Sequence, residues 1–197
     1  ADLAAYKESS SDTEKALAIL EEIKLGKKQT VEQVKLSAEE SVAKAREIIS
    51  FTDSKKSLFD RINQNTQELS RLEKWGSVNP AELSALKEKG LFFYLFEIPQ
   101  DKYASIGKDV NTVVMNTVSK VTRFIVVSET ELEERPEGLP AEAYAVPLPE
   151  CSTEKLKDDI VKAKAEIERL DREIVASKKF ENALKDSRKR LLYEIEF

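Results

Sequence analysis

Apolar residues recur at alternating three- and four-residue intervals along two long stretches of this chain. The first runs Val31, Val34, Ala38, Ser41, Ala45, Ile48, Thr52, Lys55, Phe59, Ile62, Thr66 and Leu69. That spacing lines one narrow seam of a helix. The seam is weakest from Thr52 to Lys55, which reads as a kink, a frayed zone or a polar layer rather than a binding site. Thr30 with Gln33 three residues on matches a capping box and predicts the helix start. The second and cleaner series is Leu156, Ile160, Ala163, Ile167, Leu170, Ile174, Ser177, Glu181, Leu184, Arg188, Leu191 and Ile195. Phe180 lies off register beside Ser177 and Glu181, so the stripe shifts locally there. Pro147 and Pro149 stop the preceding segment, and Ser152 is placed to cap the new helix. Two seams of similar length in one chain pair with each other at lower entropic cost than with a partner from solution. Stepping both away from the intervening segment at equal rise predicts antiparallel pairing, with partner numbers summing to about 225. A further helix is predicted over residues 2–25. Leu3, Tyr6, Ala16, Leu17, Leu20 and Ile23 fall mostly on one face, and Gly26 acts as its stop.

Between the seams the pattern changes. In RLEKWGSVNPAELSALKEKGLFFYLFEIP, Trp75-Gly76 ends the outgoing helix, with the Trp sealing a junction rather than anchoring a partner. Asn79 caps a short helix that opens with Pro80, has Glu82 in its first turn, turns Leu83 and Leu86 inward and stops at Gly90. Residues 91–98, LFFYLFEI, are apolar on both faces and predict a central strand. A short helix is expected near 101–106. Strands follow over 110–118 and 121–128, joined by a tight turn at Ser119-Lys120. ELEERPEGLPAE is a polar loop, and residues 143–148 form a short strand whose Pro places it at an edge or an end. One short helix covers only one side of the central strand, so some of the apolar remainder is left for a partner. The fold class that results is α+β. Residues 1–74 and 151–197 form a long antiparallel two-helix coiled-coil stalk. Residues 75–150 form a small α/β lobe at its tip, with a mainly antiparallel sheet of about four strands.

Composition narrows the chemistry. The 197 residues carry a net charge of −5, which speaks against a nucleic-acid partner. Histidine is absent and Cys151 is the single cysteine, so neither a Ser-His or Cys-His pair nor a CxxC metal or redox pair can form. A reducing, cytoplasmic setting is the simplest reading of that cysteine count. No phosphate-binding glycine motif occurs. No stretch is apolar enough to insert in a membrane. Catalytic, cofactor-binding and metal-ligating residues are therefore expected to be none. Cys151 reads as an incidental residue near a helix start. Ser187-Arg188-Lys189-Arg190 reads as a helix face salt-bridged to Glu181, Asp186 and Glu194. Both ends fall in helix-forming sequence, and the chain is expected to be a piece cut from a longer protein.

The succession of a long helix, LEKWGSVNPAELSALKEKGLFFYLFEIP, VTRFIVVSE, AYAVPLPECSTEKL and a returning helix resembles the cytoplasmic domain of V-type (A/V-type) ATP synthase subunit I. That family is the counterpart of eukaryotic vacuolar subunit a. The shared features are a Trp-Gly ending the outgoing helix, a Pro-started helix, a Gly, an aromatic strand, and a hydrophobic-Pro-Glu before the return helix. The similarity covers most of residues 30–195. It implies a non-catalytic stator element at the cytoplasmic face of the membrane. The implied partners are a peripheral-stalk E/G-type heterodimer and the rest of subunit I, including its membrane domain. No family catalytic residue maps onto any position of this chain. Two other classes compete. One is a coiled-coil-and-hinge scaffold of the SMC/Rad50 kind, which would dimerise through the lobe. The other is a small-molecule regulatory module, which would respond to ligand in a thermal-shift screen.

Overall fold

The structure is a computed structural model that describes residues 2–76 and 78–197. It is α+β, with five α-helices and a four-stranded antiparallel sheet among the described residues. The chain divides into two compact units, one comprising Ala1–Asn63 and Val161–Phe197, the other Gln64–Ile160.

The first unit draws on α1 (Leu3–Glu21), α2 (Ala38–Glu73), α4 (Thr153–Ala176) and α5 (Glu181–Glu196). Its core joins Ala16, Leu17 and Leu20 of α1, Ala45 and Ile48 of α2, and Leu184 of α5. The N-terminal helix is thus a full member of this core, a role the two seams did not suggest. In the second seam Ala163, Ile167, Leu170, Ile174, Ser177 and Leu184 are all buried in this unit. The first seam holds only over Ser41, Ala45 and Ile48; farther on, Phe59 is 50% exposed.

Two expectations about these helices are corrected. The helix expected from Thr30 starts at Ala38, and residues 31–37 are non-helical. The capping box lies at Ser37 and Glu40 instead. The Ser37 hydroxyl accepts from the Glu40 N–H at 3.1 Å, and the Glu40 carboxylate accepts from the Ser37 N–H at 2.9 Å. This box wins for two reasons. Glu39 and Glu40 stand at the positive end of the helix, and residues 33 and 34 find hydrogen bonds elsewhere. The second correction concerns the returning helix, which is not continuous. A 3-10 segment, Ser177–Phe180, separates α4 from α5 where the stripe goes off register. Gln33 and Val34 bond to that break.

The second unit contains the end of α2, α3 (Pro80–Glu88), β1 (Phe92–Pro99), β2 (Thr112–Val118), β3 (Val121–Ser128) and β4 (Tyr144–Val146). Asn79 caps α3 through its side chain, which accepts from the Ala81 N–H at 3.0 Å. Gly90 at φ +85° takes the chain out of the helix in the left-handed region. The sheet order is β2-β3-β1-β4, so the aromatic strand is central and β4 lies at an edge, as expected. Ser119 and Lys120 both have positive φ, the conformation of a tight hairpin turn. Ser152 caps α4, its hydroxyl accepting from the Lys155 N–H at 3.2 Å.

Alternation on the strands gives the sheet two faces. On one, Phe96, Ile98, Phe124, Val126 and Ala143 form the core, with Tyr94 beside them. Phe96 and Phe124 stack at 5.7 Å, and Tyr103 meets Phe124 edge-on. The cover here comes from a 3-10 segment, Gln100–Ser105, and from the loop after β3. Tyr103, Ile106, Val110, Leu132 and Leu139 pack onto this core. On the other face Leu95 is buried, and the end of α2 lies against it. Asn116 of β2 donates to the Lys74 carbonyl at 2.5 Å, and Arg71 donates to the Pro147 carbonyl at 2.8 Å. Leu72 and Trp75 are fully buried. Much of the aromatic strand is thus covered from within the chain, while Phe92 and Phe93 stay half-buried. The polar loop carries two inward leucines, and the end of α2 is hydrogen-bonded to the second face.

Candidate interaction surface

Among the described residues, no group of three or more His, Cys, Asp or Glu is placed to hold a metal ion. Cys151 is a free, half-buried thiol. No helix of the described residues is long and apolar enough to cross a membrane. The basic cluster departs from the expected arrangement. Glu181 engages Lys178 at 2.8 Å and Lys185 at 3.4 Å, not Arg188 or Arg190. Ser187 is buried, while Lys189 and Arg190 point to solvent.

What remains is surface. On β2, Val113, Val114, Met115 and Val118 are between 41% and 57% exposed. The strand carries no charge and has one edge unpaired. Its pairing with β3 shifts register between Val114 and Asn116, which leaves Met115 as the extra residue of a bulge. A second feature is a groove of about 280 Å³ between α3 and β1, lined by Leu83, Lys87, Phe92, Phe93, Glu131 and Leu148 among others.

Behind the β2 edge runs a polar row that sequence reading did not single out. Glu97, Arg123 and Asn116 face one another across β1, β3 and β2. Arg123 donates to Glu97 at 3.1 Å and to Asn116 at 3.2 Å, and Asn116 passes the row on to the Lys74 carbonyl. Arg123 is 8% exposed, so its charge depends on these partners. The available signal was the presence of opposite charges, Glu97 and Arg123, inside two otherwise apolar strands. Near the row, Arg71 clasps Glu68 through two hydrogen bonds. That hydrogen bond lowers the Glu68 pKa against an opposing effect of burial, and the Arg71 charge adds to it. Arg71 is correspondingly held above its ordinary value, first by Glu68 and also by the charge of Glu97.

These features describe an α+β protein whose available sites are surfaces, joined to a helical unit. No family model matches the chain. Over 158 residues, 80% of its length, it is 25% identical to V-type ATP synthase subunit I 1 of Treponema pallidum (strain Nichols). The chain spans about a quarter of the length of that relative.

Proposed function

We propose that this chain is a non-catalytic stator element of a rotary V-type ATPase or ATP synthase. In this reading it links a membrane subunit to the peripheral stalk and resists rotor torque. The observation that carries the proposal is the similarity to V-type ATP synthase subunit I 1 along four-fifths of the chain. The parent protein would continue into a membrane domain, with the present residues on its cytoplasmic side.

The mechanism asks for a shaft and an attachment point. Residues 1–74 and 151–197 serve as the shaft, α2 running antiparallel to the returning helices as a two-helix stalk, with α1 packed against it in the first unit. Lys55 on α2 and Asp171 on α4 form an ion pair within one residue of the register reasoned from the seams, which supports that pairing in the first unit. Residues 75–150 serve as the lobe, and the exposed apolar edge of β2 is the surface available to an E/G-type heterodimer. Neither nucleotide nor metal takes part. Several stator contacts act together in such an assembly, so each holds by effective concentration even when weak alone.

The test is calorimetry of the full chain against the cognate peripheral-stalk heterodimer, beside a Met115→Lys variant. Binding that the variant abolishes is the expected result. No heat at ~100 μM, a regime of about −5.5 kcal/mol, rejects direct attachment through this region.

A further inference from the structure

The break between α4 and α5 is occupied by another part of the same chain. In a continuous α-helix the Asn182 N–H would bond to the Lys178 carbonyl four residues back. Here the Gln33 side-chain amide stands between them. Its Nε2 donates to the Lys178 carbonyl at 3.1 Å, and its Oε1 accepts from the Asn182 N–H at 2.9 Å. The adjacent Val34 N–H bonds to the Lys179 carbonyl at 2.9 Å. One glutamine thus takes the place of one rung of a helical ladder, and a backbone amide bonds to the next carbonyl. A side chain inserted into that ladder is a recognised cause of helix interruption.

The same node holds the end of α1. Lys178 is 9% exposed, pairs with Glu181, and donates to the Leu20 carbonyl at 2.7 Å. Leu20 and Leu184 share one core. The segment from α1 to residue 37 is therefore tied to the break at both ends, by Leu20 and by Gln33-Val34.

We infer that Gln33 and Val34 form a latch that keeps α4 and α5 as two helices. When the latch leaves, the Lys178 carbonyl, which accepts from the Glu181 N–H in the 3-10 turn, can take the Asn182 N–H instead, and the chain has a ready alternative in one continuous helix. Undocking of the 31–37 segment and closure of the helix are then two sides of a single conformational switch. Lys178 couples the position of α1 to it. This inference does not depend on the stator reading.

The experiment uses the full chain with Gln33→Ala and Val34→Pro, singly, followed by NMR. The readouts are carbon chemical shifts of residues 177–182 and amide exchange at Asn182. The latch predicts helical shifts at 178–180 in each variant, with Asn182 exchange unchanged or slower because its N–H has found the Lys178 carbonyl. Unchanged 3-10 shifts together with Asn182 exchange at least about tenfold faster overturn it. The break would then be intrinsic, held by Phe180, whose ring has the Lys44 and Lys179 ammonium groups over it, and by the Ser177 hydroxyl on the Glu173 carbonyl. Gln33→Glu serves as a conservative third variant. It keeps the acceptor for Asn182 and loses the donor to Lys178, so the latch predicts shifts between those of the native chain and Gln33→Ala.

Discussion

Replacing Trp75 tests how the end of α2 is locked onto the sheet. Trp75 is 1% exposed, and its indole Nε1 is buried without a hydrogen-bond partner. Truncating a buried Trp to Ala costs about 3–5 kcal/mol through lost transfer energy and the cavity left behind. The orphaned N–H works the other way. Burying an unpaired donor costs about 1–3 kcal/mol, and truncation removes that penalty. The net for Trp75→Ala falls near the lower end, about 3 kcal/mol, or on the order of a hundredfold in the opening equilibrium. Trp75→Phe keeps much of the ring volume and also removes the donor, so it costs about 1 kcal/mol or less. Native-state amide exchange is the suitable assay, because it reports on β1 and β3 without assuming that the two units unfold together. Exchange in residues 94–98 and 122–126 should accelerate strongly in the Ala variant and little in the Phe variant. A change below about 0.5 kcal/mol for Ala would mean that the Trp carries no packing role. Equal costs for Ala and Phe would sink the cavity argument, since both remove the donor and differ in ring volume; a Phe cost near that of a full truncation, about 3 kcal/mol, would sink the orphaned-donor argument.

Other outcomes follow from single contacts. Arg123→Met leaves the Glu97 carboxylate beside apolar neighbours and should destabilise the sheet by about 2–3 kcal/mol, less than a fully buried pair because Glu97 keeps some solvent; a double variant with Glu97→Gln should recover part of the loss in urea unfolding. Ser37→Ala removes one half of the capping box and should cost about 1 kcal/mol, read as faster exchange in the first turn of α2. Gly138→Ala should loosen the loop that covers the sheet, because Gly138 sits at φ +94° and a methyl there would meet the Val110 side chain at 3.1 Å; the check is exposure of Leu132 and Leu139 to hydrogen exchange. Burial raises the Glu181 pKa, but hydrogen bonds and charges from Lys178 and Lys185 outweigh it and the net shift is downward. A lowered carboxylate contributes stability above its unfolded pKa and loses it as pH falls through the folded value, so Glu181→Gln should flatten the acid limb of the first unit's stability curve.

The local signals in the sequence were strong wherever a residue's chemistry acts on its own neighbourhood. Asn79-Pro80 specifies a helix start by itself, because the cap and the fixed φ belong to those two residues. Ser152 does the same for α4, and the hairpin turn at Ser119-Lys120 follows from the strands that flank it. The aromatic run 91–98 could only be a central strand, since both of its faces needed cover. The second seam was legible from Ala163 to Ser177, because regular spacing on a helix places side chains without reference to anything else; beyond it the 3-10 break at Ser177–Phe180 brings off-seam Phe180 and Ala183 inward.

Competition between distant segments was not legible. Thr30-Gln33 and Ser37-Glu40 are equally good capping patterns on paper. The choice between them depends on whether Gln33 has somewhere better to go, and its partners, Lys178 and Asn182, lie about 150 residues away in the chain. The polar loop concealed its function for a similar reason. Leu132 and Leu139 look isolated among charges, and only the fold brings them onto the core around Phe96 and Phe124. Periodicity reports which side of an element is apolar. Which segment comes to cover that side is decided by closing the whole chain, because a hydrogen bond or a buried face is satisfied equally well by near and far partners.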